Sequence, residues 1–235
     1  MNKFWNFSTG ENAERILRMD GEIASETWWG DEVTPAAFRA ELFSGTGNIT
    51  LYINSPGGCC VAASQIYTML MDYPDHITVK IDGMAASAAS VIAMAGTKIL
   101  MAPTALMMKH NPLTVAIGDS DEMKRAIALL NEVKEAIVNA YESRTGLSRV
   151  KLSHLMDAET WMNAGKAIEL GFADDVIKDA KLEDMQPSNS YVFSRRAVAN
   201  SLVQKVLAAS KTQPSPPGTP AQAARRQLEL REKLL

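Results

Sequence analysis

The chain has 235 residues, 46% of them hydrophobic and 22% charged, which is typical of a soluble globular protein. A net charge of -3 and a pI near 5.7 argue against a nucleic-acid-binding surface. No run of about 18 or more apolar residues is present, so neither a transmembrane helix nor a membrane partner is expected. The N-terminal segment lacks the apolar stretch of a secretory signal.

The two cysteines are neighbours, Cys59 and Cys60, and adjacent cysteines fit the geometry of a disulfide poorly. Without a disulfide framework or an export signal, the cytoplasm is the expected compartment. The chain contains no CxxC pair and no His/Cys cluster, so no zinc and no other cofactor is expected. It also lacks GxxxxGKS/T, so it should not hydrolyse nucleotides itself.

Strand-like and helix-like patterns alternate along most of the chain. In chain order they predict a strand at 15–24, a helix at 34–45, a strand at 48–58, a helix at 60–73, a strand at 77–81, a helix at 86–96, short strands at 97–102 and 104–110, helices at 122–146, 148–157 and 164–170, and a strand at 172–177. Thr34, Ser148 and Asn163 are suitable N-caps for three of these helices. The alternation predicts an α/β fold with a mostly parallel sheet in one domain, residues 1–185.

The composition changes after that domain. An extra helix is predicted within 186–210, and 211–235 combines a Pro-rich linker with a charged tail. This tail lacks the apolar residues that would offset the entropy of ordering it, so disorder is expected there.

Three short motifs each follow a predicted strand: SPGG at 55–58, DGMAAS at 82–87 and KHNP at 109–112. Ligands of parallel α/β sheets bind beyond the carboxyl ends of the strands, so these motifs should converge. Ser87 would be the nucleophile and His110 its base, while the N–H groups of Gly58 and Ala88 would form an oxyanion hole. The alternative for each motif alone is structural: close helix packing, a structural histidine or a simple glycine turn.

The order of LYINSPGG, DGMAASAAS, MMKHNPL and MDAETWMNAGKAIELGFAD resembles the Clp protease proteolytic subunit, ClpP, over roughly residues 15–180. ETWWGDEVTPAAF is similar to the divergent branch of that family encoded in phages and prophages. The resemblance implies a ClpP/crotonase-like fold of repeated β-α units. It assigns Ser87 as nucleophile, His110 as general base, and the N–H groups of Gly58 and Ala88 as oxyanion donors.

The third catalytic residue departs from the family pattern. The register of the motif places Glu159 where the family has an aspartate, and Asp157 lies two residues earlier. Glutamate can orient an imidazole as aspartate does, so Glu159 is preferred, and Asp157 stays open. Ser90 is expected to be packed inside its helix. Lys109 would suit a Ser-Lys dyad, but it neighbours His110 on a strand and must point to the opposite face.

The resemblance implies a serine endopeptidase working inside a homo-oligomeric chamber of stacked rings, heptameric or tetradecameric, with the helix at 122–146 joining the rings. An ATP-dependent unfoldase is one candidate partner, and phage capsid or scaffold proteins are another. The alternatives are a phage head-maturation protease that acts without an unfoldase, an inactive assembly protein with the same fold, and a crotonase-type acyl-CoA enzyme.

Overall fold

The computed structural model describes residues 3–10, 14–24 and 35–177, all of which lie in the first of two compact units, Met1–Phe193. The helix and tail predicted beyond residue 186, and the predicted N-cap Thr34, lie outside the described residues. The predicted α/β fold is confirmed, since helices alternate with the strands of one mostly parallel sheet.

Within the described residues, eight strands form the sheet: β1 (Trp5–Thr9), β2 (Arg15–Asp20), β3 (Ile49–Ser55), β4 (Ile77–Ala86), β5 (Lys98–Met101), β6 (Leu106–Lys109), β7 (Thr160–Asn163) and β8 (Asp175–Val176). The main path runs β1-β2-β3-β4-β5-β8, and its pairs are parallel except β1 with β2. Off this path, β6 pairs in parallel with β4 and antiparallel with β7.

In the part of the chain that the structure describes, six helices accompany these strands: α1 (Pro35–Leu42), α2 (Cys60–Met71), α3 (Ala88–Ala93), α4 (Ser120–Thr145), α5 (Arg149–Asp157) and α6 (Ala164–Glu169). The predicted caps Ser148 and Asn163 accept hydrogen bonds from backbone N–H groups in the first turns of α5 and α6. Gly146 ends α4 in the left-handed conformation, which a residue without a Cβ adopts easily.

Strand β4 is twice as long as its apolar run at 77–81 predicts. Its first half pairs with β5 at Thr78–Ile81, and its second half pairs with β6 at Met84–Ala86. The register between β3 and β4 shifts between Ile53 and Ser55, because the β4 segment that contains Asp82 and Gly83 bulges there. One strand therefore contacts both β5 and β6, and its end carries Ser87.

Two strands were not predicted from the sequence. β7 places its two apolar residues, Trp161 and Met162, side by side and shows no alternation, whereas the apolar positions of β1 alternate only at Trp5 and Phe7, which is too short a pattern to predict a strand. The missed strand β7 matters for function because it pairs with β6, the strand that precedes His110.

The core lies between the sheet and helices α1, α2 and α3, and its fully buried side chains include Phe38, Leu51, Ile66 and Val79. Cys59 and Cys60 are both free, as their adjacency predicted. Among the described residues, no helix combines the length and the apolar character needed to cross a bilayer.

Candidate active site

Ser87 lies between the end of β4 and the first residue of α3. Its backbone has φ 54° and ψ -126°, a conformation that side-chain-bearing residues rarely adopt. Such a backbone costs on the order of 1–3 kcal/mol and persists only where surrounding contacts enforce it. A sharp strand-to-helix turn of this kind presents a serine hydroxyl at the end of a sheet.

His110 follows β6 directly, and its Nε2 atom lies 2.7 Å from the Oγ atom of Ser87. The parallel pairing of β4 with β6 brings the two residues together, since the N–H of Ser87 donates to the carbonyl of Met108 at 2.9 Å. His110 is only 9% exposed, so little water competes for this contact. The two residues form a hydroxyl–imidazole pair at a distance suitable for proton transfer.

Gly57 lies directly against Ser87. A Cβ added at Gly57 would lie 2.7 Å from the Cβ of Ser87 and 2.8 Å from the backbone nitrogen of Ala88. Its φ of 93° also disfavours any other residue. The glycine therefore leaves open the space in front of the Ser87–Ala88 peptide.

Gly58 forms an isolated parallel bridge with Ile23, beyond the end of β2. The bridge uses the carbonyl of Gly57 and the N–H of Cys59, both bonded to Ile23 at 2.8 Å. Because alternate residues of an extended chain direct their polar groups to opposite edges, the N–H of Gly58 points away from Ile23. That direction is the β4 side of the chain, where Ser87 lies.

Glu159 immediately precedes β7 and is half-buried. The antiparallel pairing of β6 with β7 aligns Lys109 with Thr160, so the next aligned position places Glu159 opposite His110. Glu159 also has a positive φ of 47°, so the residue just before β7 is a second one with a strained backbone. The missed strand β7 is thus the element that aligns Glu159 with His110.

Asp157, the other candidate acid, is held elsewhere. Its Oδ1 atom accepts hydrogen bonds from Lys134 Nζ at 2.7 Å and Asn111 Nδ2 at 2.9 Å, and its side chain is 50% exposed. The hydrogen bond from Lys134, followed by that from Asn111, lowers the pKa of Asp157. The contacts of Asp157 therefore join α5 to α4 and to the loop after His110.

Lys109 is completely buried and faces away from Ser87, as its position next to His110 predicted. Its Nζ lies 3.6 Å from the ring centroid of Phe172 and 4.9 Å from that of Tyr141, and it contacts the sulfur of Met107 at 2.8 Å. Desolvation lowers the pKa of Lys109 well below its usual value. Contact with aromatic rings is worth about 2 kcal/mol to a desolvated ammonium, which is less than full burial costs it, so this setting disfavours the charged form.

The other two histidines, His76 and His154, are both exposed. Beside the site, a mostly apolar groove of about 780 Å³ runs between α2 and α4. Ala88 and Cys60 line this groove together with Val61, Val133 and Ile137. The groove therefore begins one residue from Ser87. Among the described residues, no group of His, Cys, Asp and Glu side chains could hold a metal ion.

Comparison with known proteins identifies the family of this chain. The family model described as Clp protease matches residues 11–180, which is most of the chain. This chain belongs to the Clp protease family. The match includes the strands and loops that carry Ser87, His110 and Glu159, and the assignment to the serine peptidases is confirmed at the level of the family.

The alignments with curated relatives cover most of the length of each relative. The chain is 32% identical to ATP-dependent Clp protease proteolytic subunit 2 of Mycolicibacterium paratuberculosis, over 72% of this chain and 84% of the relative. It is 31% identical to proteolytic subunit 1 of Streptomyces avermitilis, over 76% and 81%. It is 29% identical to the proteolytic subunit of Ligilactobacillus salivarius, over 72% and 85%.

We predict that Lys109→Met raises the stability of the protein at neutral pH. Between its lowered folded pKa and about 10.4, Lys109 binds a proton in the unfolded chain but not in the folded one, so falling pH favours unfolding. Each tenfold change in proton affinity corresponds to about 1.4 kcal/mol, or roughly 3–5 °C in Tm for a chain of this size.

Thermal unfolding followed by circular dichroism between pH 6 and pH 10 measures this effect. The gain in Tm should shrink as the pH approaches 10. The exposed Lys98→Met is the matched control and should show no such pH dependence. A Lys109→Met protein that melts below wild type at every pH would contradict a neutral buried amine.

Proposed function

We propose that this protein is a serine endopeptidase in which Ser87 is the nucleophile and His110 the general base. Glu159 orients the imidazole, and the N–H groups of Gly58 and Ala88 bind the oxyanion. The observation that carries this proposal is the 2.7 Å contact between Ser87 Oγ and His110 Nε2.

In the proposed mechanism, His110 takes the proton of Ser87 as Oγ attacks the scissile carbonyl carbon. The oxyanion that develops accepts hydrogen bonds from Gly58 and Ala88, and His110 then protonates the leaving amine. Water, deprotonated by His110, attacks the acyl-enzyme and releases the second product. Each step uses the same imidazole nitrogen, so the opposite ring nitrogen must be held by the acid.

The position of Glu159 opposite His110 in the β6–β7 register supports its role as that acid. The two hydrogen bonds of Asp157 to Lys134 and Asn111 argue against the alternative. The half-buried setting of Glu159 also suits a carboxylate that stabilises an imidazolium.

The groove beside Ala88 supports a polypeptide substrate with an apolar side chain next to the scissile bond. Burying such a side chain supplies binding energy of about 1.5–3 kcal/mol without a specific polar partner. The proposed activity is therefore a broad endopeptidase activity rather than one that selects a single charged residue.

We also propose that subunits assemble into stacked rings, as a heptamer or a tetradecamer, with α4 joining the rings. In α4 only Val138, Ala140 and Tyr141 are buried, while Ile127 and Leu129 are about 60% exposed. Apolar side chains on a long helix that leaves the body of the subunit favour contact with another copy.

The relatives are named ATP-dependent, which supports an ATP-driven unfoldase as partner. The phage or prophage origin, and with it a capsid or scaffold substrate, is supported by the sequence motifs alone.

The variant Ser87→Ala should abolish cleavage of a short fluorogenic peptide and of casein. Removing a nucleophile of this type lowers kcat by about 10⁶-fold, which leaves no measurable turnover. The melting temperature should stay within about 2 °C of wild type, since one hydroxyl at a half-buried site is lost. Cleavage by this variant at the wild-type rate would exclude Ser87 as nucleophile.

A pair of isosteric changes separates the two candidate acids. Glu159→Gln should lower kcat by roughly 10³–10⁴-fold, because the amide cannot stabilise the imidazolium that forms during the reaction. Asp157→Asn, two residues away, should keep kcat within about threefold of wild type while slightly lowering the Tm through its lost ion pair with Lys134.

Steady-state hydrolysis of the fluorogenic peptide by both variants, with wild type in parallel, gives the comparison. If Asp157→Asn loses activity and Glu159→Gln keeps it, the assignment of the acid must be reversed. Equal retention of activity by both variants would show that neither carboxylate orients His110.

A further inference from the structure

A buried chain of hydrogen bonds connects the backbone of Ser87 to α4, and the mechanism proposed above does not use it. The hydroxyl of Ser90 donates to the carbonyl of Ser87 at 2.6 Å, and the N–H of Ser90 donates to the same carbonyl at 3.0 Å. The hydroxyl of Tyr141 lies 2.7 Å from that of Ser90. Ser90 and Tyr141 are essentially inaccessible to solvent, and Tyr141 comes from α4, far away in the sequence.

The direction of these bonds follows from counting protons. A serine hydroxyl has a single proton, which Ser90 gives to the carbonyl of Ser87. Tyr141 must therefore donate its own proton to the oxygen of Ser90. The chain runs from Tyr141 to Ser90 to the Ser87 carbonyl, and bonds aligned in one direction strengthen each other.

The carbonyl at the end of this chain belongs to the peptide unit that also carries the N–H of Ala88. In a trans peptide the carbonyl and the N–H point in opposite directions, so holding one fixes the other. The backbone nitrogen of Ala88 faces the Gly57 loop, since a Cβ at Gly57 would approach it to 2.8 Å. The two donors of Ser90 hold the Ser87 carbonyl, and they thereby keep the Ala88 N–H on the opposite side of the peptide directed into the site.

This peptide needs such support because its conformation is unfavourable by itself. The φ of 54° and ψ of -126° at Ser87 lie outside the regions that a serine prefers, and ψ sets the plane of the Ser87–Ala88 peptide. A serine hydroxyl that bonds a carbonyl three residues earlier is common in helices and by itself stabilises little. Here Tyr141 holds that hydroxyl in place, and the ring of Tyr141 is itself fixed edge-on against Phe172 at 5.6 Å.

We propose that Ser90 and Tyr141 are positioning residues that hold the Ser87–Ala88 peptide in the orientation required for the oxyanion hole. This inference rests on the proposed function, because it assigns the Ala88 N–H a role in binding the oxyanion. It extends that function by making a residue of the long helix α4 part of the catalytic support.

The test compares Ser90→Ala, Tyr141→Phe and the double variant in the full-length protein. Each single change removes one hydroxyl and leaves the nucleophile, base and acid in place. Loss of a whole oxyanion donor costs about 10²–10³-fold in kcat, so a misdirected donor should cost about 10-fold, with KM unchanged within about twofold. Since Tyr141 acts only through Ser90, the double variant should be no slower than Ser90→Ala.

A peptide aldehyde provides a readout that packing alone would not change. It adds to the serine hydroxyl and forms a hemiacetal whose oxygen occupies the oxyanion hole. Its affinity should fall by the same factor as kcat/KM in each variant. Tyr73→Phe is the matched control, because Tyr73 is also a buried tyrosine whose hydroxyl donates to a backbone carbonyl, that of Gly47. It should lower the Tm without changing kcat.

If Ser90→Ala and Tyr141→Phe keep the wild-type kcat and aldehyde affinity, this inference is overturned. It is also overturned if the losses of kcat in the two single variants multiply in the double variant, or if Tyr73→Phe shows the same loss. These outcomes presuppose peptidase activity that depends on Ser87. If wild type itself does not cleave, the proposed function fails instead, and the two failures are distinguishable.

Discussion

The parallel pairing of β4 with β6 is the contact on which the site depends. It continues one residue beyond β4, where the N–H of Ser87 donates to the carbonyl of Met108, two residues before His110, and so it brings Ser87 close to His110. Because β4 first pairs with β5 and only then with β6, its end projects beyond the first part of the sheet. The antiparallel return of β7 then places Glu159 on the other side of His110. Three strand ends, rather than one loop, carry the three polar side chains.

Rigid strands give such a site its precision, but the backbone must bend sharply where each side chain leaves the sheet. Ser87 and Glu159 are the two non-glycine residues with positive φ among those described, and both lie at a strand end beside His110. Gly57 lacks the side chain that would meet Ser87 and the backbone of Ala88, and Gly58 lacks one that would meet the backbone of Ile23. The strain at Ser87 is offset by hydrogen bonds on both sides, since its N–H donates to the carbonyl of Met108 and its carbonyl accepts from Ser90. In this way packing that belongs to the core also determines the geometry of the reacting groups.

The sequence predicted the α/β alternation, five of the helix positions closely, and the meeting of Ser87 with His110, because these depend on local patterns and on the rule that parallel strands end together. It did not predict β7, since a four-residue strand with one buried side chain has no periodicity to detect. The choice between Glu159 and Asp157 depends on that strand and stayed open for the same reason. Ser90 was expected to be packed, but its link to Tyr141, 51 residues further along the chain, is a tertiary contact that no local pattern encodes.

The role of Ser87 is tested most directly by finding which residue reacts with a fluorophosphonate probe, by digestion and mass spectrometry of the labelled full-length protein. We expect one adduct per chain, on the Oγ atom of Ser87, and we expect this adduct to be lost when His110 is replaced by alanine. Labelling of another residue, or no labelling of a folded protein, would contradict a serine nucleophile activated by His110.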